Sequence, residues 1–138
     1  MKKLFAWLVL GLCMGCTVKT PDTPVKVELY NRESLKITGL NKLIIQDIAK
    51  DTANHFESLV PVYRMPADTD LKNYQPMQPG HYQLKDSALI FTPDTPFSGH
   101  QTYFVRYYQY GGDNTIWAFI KGKKSPGKLP YTDLIFKP

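Results

Sequence analysis

Tyr82-Gln83-Leu84-Lys85-Asp86-Ser87-Ala88-Leu89-Ile90-Phe91-Thr92 is the stretch that decides the fold. Tyr82 and Leu84 alternate with Gln83 and Lys85, the period of a strand with one buried face. Ala88-Leu89-Ile90-Phe91-Thr92 is a second strand-forming run. The polar pair Asp86-Ser87 lies between them, and a two-residue polar connection reverses the chain in a β-hairpin. The centre of the chain therefore predicts antiparallel pairing.

The same signals extend in both directions. Downstream, residues 93–99 read as a turn-rich connection and residues 102–110 as a long aromatic strand. Gly111-Gly112-Asp113-Asn114 reads as a turn, and residues 115–121 as the returning strand. Residues 122–130 form a basic loop, and Tyr131–Phe136 is a last strand. Upstream, Val25-Lys26-Val27-Glu28-Leu29-Tyr30 alternates at period two, and Leu35-Lys36-Ile37-Thr38 does so until Gly39 ends it. Residues 58–65 carry Leu59, Val60, Val62 and Tyr63 but are interrupted by Pro61, which predicts an edge strand. Residues 66–79 are a long polar loop with three prolines.

Residues 40–56 admit two readings. Leu43-Ile44-Ile45 could be a strand. Alternatively, Asn41 could cap a helix that aligns Ile45, Ile48, Ala49, Thr52 and Phe56 on one face. The favoured element is a short helix at about residues 47–55. Seven or eight short strands, with turn signals about every 8–12 residues, predict a mainly β chain. The expected architecture is a single antiparallel β-sandwich with one short helix.

Length and composition agree. The chain has 138 residues, enough for one domain and too few for a multidomain enzyme. A mean hydropathy of -0.31 excludes a wholly disordered chain. No repeat or low-complexity tract interrupts it.

The segment Leu84-Lys85-Asp86-Ser87-Ala88-Leu89-Ile90-Phe91-Thr92-Pro93 is followed by Phe97-Ser98-Gly99-His100-Gln101-Thr102-Tyr103-Phe104-Val105. Together they resemble the C-terminal half of bacterial Ig-like and fibronectin-type domains: a strand ending in Phe-x-Pro, a loop with Gly, then Tyr-x-Val. The resemblance spans about residues 82–110 and implies an Ig-like sandwich. It also implies that Tyr103 is the tyrosine-corner residue, with its ring in the core and its hydroxyl bonded to loop backbone. The fold carries no function by itself.

The N-terminus is more specific. Met1-Lys2-Lys3 precedes an apolar run from Leu4 to Leu12, which is the pattern of a secretory signal. The run is too short to cross a hydrocarbon core of ~30 Å as a helix. Leu12-Cys13-Met14-Gly15-Cys16 resembles the lipobox of bacterial lipoproteins, with Gly15-Cys16 in place and Cys13 where the family prefers Leu. The resemblance implies that residues 1–15 are removed and that Cys16 is diacylated on sulfur and acylated on its new amine. Two or more acyl chains hold a protein at a bilayer where one does not.

In Gram-negative lipoproteins an Asp after the Cys favours the inner membrane, so Thr17 implies the outer membrane there. Residues 16–24 then comprise the lipidated Cys and a proline-containing tether, and residues 25–138 the sandwich. Both cysteines lie in the leader region, which excludes disulfide staples in the mature domain. Removing residues 1–15 leaves 15 basic against 12 acidic residues, a formal +3. That surface argues weakly for anionic partners, and nucleic acid is not expected outside the cytoplasm.

Catalytic signals are absent from the sequence pattern. His55, His81 and His100 lack metal-ligand spacing and read as surface histidines. Asp68-Thr69-Asp70 offers too few alternating oxygens for calcium, because Leu71 and Lys72 follow. Neither a Gly-x-Ser-x-Gly elbow nor a phosphate-cradling glycine loop occurs. No cofactor, metal or enzymatic activity is expected.

Residues 103–121 are the most informative surface. A hairpin through residues 111–114 would pair Tyr108 with Trp117, Arg106 with Phe119 and Phe104 with Lys121. The Tyr-x-Val resemblance turns Tyr103, Val105 and Tyr107 inward. Phe104, Arg106, Tyr108, Tyr110, Trp117 and Phe119 then look outward as an aromatic platform with one Arg. The alternative is that the 40–56 segment or the N-terminal strand covers this face as a second core layer. Lys121, Lys123, Lys124 and Lys128 crowd a Gly- and Pro-containing loop that could touch anionic lipid or wall polymers, or simply blunt a sheet edge.

The expected function is a membrane-anchored envelope lipoprotein that docks a protein partner through the aromatic face without catalysis. A carbohydrate-binding module using Trp117, Tyr108 and Tyr110 is the second reading, and a small envelope hydrolase or inhibitor the third.

Overall fold

Period-two alternation becomes seven strands in the computed structural model, which describes residues 24–50, 55–109 and 130–138. In chain order these are β1 (Lys26–Tyr30), β2 (Ser34–Thr38), β3 (Val62–Arg64), β4 (Gly80–Lys85), β5 (Ala88–Pro93), β6 (Tyr103–Tyr108) and β7 (Tyr131–Phe136). One α-helix, α1 (Lys42–Lys50), and two 3-10 turns, His55–Ser58 and Thr69–Tyr74, join them. The described residues are mainly β. They form two antiparallel sheets, ordered β1-β2-β5-β4 and β3-β6-β7. No helix among the described residues is long and apolar enough to cross a membrane.

The β4–β5 hairpin forms where the sequence places it. Lys85 pairs with Ala88. Asp86 (φ 50°) and Ser87 (φ 62°) both take the left-handed conformation that a two-residue hairpin turn needs. β5 lies between β2 and β4, and Ala88, Leu89, Ile90 and Phe91 are all buried. Gly80 opens β4 because a Cβ there would lie 2.5 Å from the Thr92 carbonyl oxygen. β3 begins directly after Pro61 and stands at the edge of its sheet, as a proline that cannot donate to a ladder requires.

The helix begins earlier than the sequence predicts, at Lys42 rather than at about residue 47. Asn41 decides this. Its Oδ1 accepts the Leu43 amide at 2.9 Å and its carbonyl accepts the Ile45 amide at 3.0 Å, satisfying first-turn donors. Ile44 and Ile48, four residues apart, then share the buried face.

One core joins both sheets. Leu35 and Ile37 of β2 lie opposite Phe91 and Leu89 of β5. Val62 of β3, Tyr103 and Val105 of β6, and Phe136 of β7 belong to the same cluster, as do Ile44 and Ile48 of α1. Phe97 meets the stacked rings of Tyr103 and Phe136 edge-on, with centroids 4.9 and 5.2 Å away. Each fully buried Leu, Ile or Phe of this kind contributes about 1.5–3 kcal/mol relative to exposure. Two tyrosines carry polar ends into this region. The Tyr82 hydroxyl donates to the Val60 carbonyl at 2.9 Å, and the Tyr103 hydroxyl accepts the Ser98 amide at 3.0 Å.

Candidate functional site

β6 is the spine of the candidate site. Its alternation turns Tyr103 and Val105 into the core, with Tyr107 packed against it, as expected. Phe104, Arg106 and Tyr108 therefore point to the opposite, outer face of the β3-β6-β7 sheet.

Their expected exposure is corrected. Phe104 is 0% exposed, Arg106 7% and Tyr108 8%. Of the segments expected to cover them, α1 faces the shared core and β1 belongs to the other sheet, while residues 51–54 lie outside the described residues. Among the described residues, residues 66–79, which read as a polar loop in sequence, lie over Phe104 and Arg106, and the Tyr131 ring stands edge-on to Tyr108. Asp68 caps the 3-10 turn within them, its Oδ1 accepting the Asp70 amide at 3.0 Å. The Asp68 carboxylate thus has a local backbone role. The turn sets Lys72 over the Phe104 ring, 4.6 Å from its centroid, and Asn73 against Arg106. Tyr63 of β3 stacks on Phe104 from the side, with centroids 5.1 Å apart and rings 22° from parallel.

The expected pairings of Arg106 with Phe119 and Phe104 with Lys121 are replaced. Both edges of β6 are occupied at these positions. Phe104 pairs with Tyr63 of β3 and Ile135 of β7; Arg106 pairs with Asp133 of β7, and its amide donates to the Pro61 carbonyl at 3.0 Å. A four-residue turn would favour the next segment as the partner, but the last strand of the chain takes the place instead.

That register creates the centre of the site. Arg106 Nε donates to Asp133 Oδ1 at 2.8 Å and Nη2 donates to Oδ2 at 3.0 Å, a bidentate fork. Nη2 also donates to Asn73 Oδ1 at 3.0 Å. Lys72 Nζ lies 2.8 Å from Asp133 Oδ2. The Tyr131 ring flanks the guanidinium, 4.0 Å from centroid to Cζ, at cation–π distance. The bond to Asp133 raises the Arg106 pKa and outweighs burial, which lowers it. For Asp133, burial raises the pKa, yet the bonds from Arg106 and Lys72 prevail and hold the carboxyl below its ordinary value. Arg106 and Asp133 are both charged at neutral pH. Burial, with Tyr108 beside it, pushes the Tyr63 hydroxyl up.

Sequence reasoning missed Asp133, Lys72 and Asn73. A signal for Asp133 exists: it is the one acid in Tyr-Thr-Asp-Leu-Ile-Phe, on the same strand face as Tyr131 and Ile135. Lys72 and Asn73 carry no such signal.

Among the described residues, the exposed apolar side chains of this face are not Phe104 or Tyr108. Ile135, beside Phe104, is 62% exposed, and Tyr131, beside Tyr108, is also exposed. Leu71 and Tyr74 project from the covering turn, and Met77 bridges to Tyr63. Among the described residues these make five of the seven exposed large hydrophobics, so this region is where apolar surface concentrates. The arrangement offers charge and planar or aliphatic faces, which are the means of recognition.

The remaining expected site residues, Cys16, Tyr110, Trp117, Phe119, Lys121, Lys123, Lys124 and Lys128, lie outside the described residues, as do the leader and the strand expected at 115–121. His81 and His100 are exposed, and no group of three or more His, Cys, Asp or Glu converges among the described residues. Comparison of the chain with protein-family models, with curated proteins and with solved structures returns no match.

Proposed function

We propose that the chain is a membrane-anchored bacterial envelope lipoprotein whose single Ig-like β-sandwich serves as a non-catalytic binding or accessory subunit. Lys2-Lys3, the apolar run and Gly15-Cys16 support the anchor. The strand orders β1-β2-β5-β4 and β3-β6-β7 support the Ig-like reading, because they match the ABED and CFG sheets of constant-type Ig domains. Tyr103 supports it further: it opens the strand that corresponds to F, and its hydroxyl bonds to backbone five residues upstream.

The observation that carries the docking role is the concentration of exposed apolar side chains on and around the outer face of the three-stranded sheet. Interface cores are apolar and enriched in aromatic residues and Met. The partner is a protein. Ile135, Tyr131 and Leu71 are the contact residues in this reading, and Phe104, Arg106 and Tyr108 lie beneath and hold them.

A photo-crosslinking residue at Ile135 in living cells tests it, with the same residue at Leu29, exposed on the other sheet, as control. One dominant protein adduct at position 135 and none at position 29 is expected by mass spectrometry. A glycan adduct would favour the carbohydrate module instead, and capture equal at both positions would refute docking through this face.

A further inference from the structure

We propose that the partner segment bound on this face is acidic as well as apolar, and that Lys72 receives its carboxylate. The inference rests on the docking reading and adds the partner's chemistry.

Its basis is charge balance. Arg106 and Lys72 share the carboxylate of Asp133, so among the described residues the cluster holds two cations and one anion. The only carboxylate acting on Arg106 among the described residues is that of Asp133. Arg106 is buried and bound on two of its nitrogens, to Asp133 and Asn73. Lys72 is the group that reaches solvent: its side chain is 24% exposed. Its ammonium carries three N–H donors, of which Asp133 needs one.

The setting strengthens an incoming anion. The Phe104 ring lies under Lys72, Leu71 precedes it, and Ile135 pairs with Phe104. Covering these apolar groups removes water from around the ammonium, and a charge-assisted hydrogen bond gains weight as the local dielectric falls. A free anion would supply the charge and leave Leu71, Ile135 and Tyr131 wet. A protein segment with Asp or Glu beside aliphatic or aromatic residues meets both demands.

The test is selection of a phage-displayed library of random peptides on the purified full chain in detergent. The expected binders carry Asp or Glu next to apolar residues. A synthetic peptide of the selected sequence should bind Lys72→Gln about tenfold more weakly or worse, the weight of one charge-assisted hydrogen bond. Ile135→Ser should weaken it as well, and Lys85→Gln, a lysine on the other sheet, should not. Both Lys72 and Ile135 reach solvent, and thermal unfolding of each variant confirms that it folds.

Binders without acidic residues, binders indifferent to Lys72→Gln, or no binders at all would overturn the inference. So would Lys72-dependent binding to phosphatidylglycerol vesicles in place of peptide, which would make the anion a lipid phosphate. The docking reading is tested separately, by crosslinking at position 135: a protein adduct there with peptides that lack acidic residues would sink this inference and leave docking standing.

Discussion

Arg106 shows how one residue's meaning depends on its partner. In sequence it is a lone cation inside an aromatic strand, and the period-two pattern correctly sends it away from the core. Its partner Asp133 lies 27 residues away, across a segment whose length says nothing about register. Only the β6–β7 pairing sets the two opposite each other. Asp133→Asn would leave Arg106 and Lys72 facing each other without an anion. Breaking a buried ion pair from one side costs about 3–5 kcal/mol; here about 2–3 kcal/mol is expected, because Lys72 reaches solvent. Chemical unfolding at neutral pH measures it.

The pH dependence of this pair has a definite sign. The folded carboxyl is held below its ordinary value, so its contribution is present above the unfolded value of about 4. That contribution is lost as pH falls through the folded value. Wild type should therefore lose stability faster than Asp133→Asn as pH drops below about 4; parallel acid limbs would contradict the ion-pair account.

Elements were readable in proportion to how locally they are caused. The Asp86-Ser87 turn needs nothing but its own backbone and the strands beside it, and it forms as predicted. Ser87 nevertheless holds φ 62°, a conformation that disfavours an L residue by about 1–2 kcal/mol. Ser87→Gly should relieve this and stabilise the protein by about 0.5–1 kcal/mol, net of the backbone freedom glycine loses on folding. A higher urea midpoint at unchanged slope is the expected result, and a lower one would reveal a contact made by the serine. The helix start was less readable, because Leu43-Ile44-Ile45 is β-branched enough to suit a strand; the Asn41 cap and the burial of Ile44 and Ile48 decide it. The neighbours of β6 were least readable. The sequence Gly111-Gly112-Asp113-Asn114 after it reads as a turn and favours the adjacent segment, but β3 and β7 fill its two edges at Phe104 and Arg106.

At the scale of the molecule, two sheets close over one core, and the surface left over is uneven. The proposed anchoring belongs to this scale, since it would fix how the outer face of the three-stranded sheet meets its surroundings. Wild-type protein should incorporate labelled palmitate in bacterial cells and Cys16→Ala should not; equal labelling, or none in wild type, would refute lipidation at Cys16. The sequence alone determined where most described strands run, which residues of β6 face the core, and where the central hairpin turns. These follow from side-chain alternation and turn chemistry, which act within a few residues. Only the tertiary structure decided that Phe104, Arg106 and Tyr108 are buried, that Lys72 lies over Phe104 and Asp133 holds Arg106, and that Ile135 and Tyr131 are exposed. Burial depends on what lies above a face. Here the cover over Phe104 and Arg106 is a polar segment 30 or so residues earlier in the chain, and alternation within a strand carries no record of it.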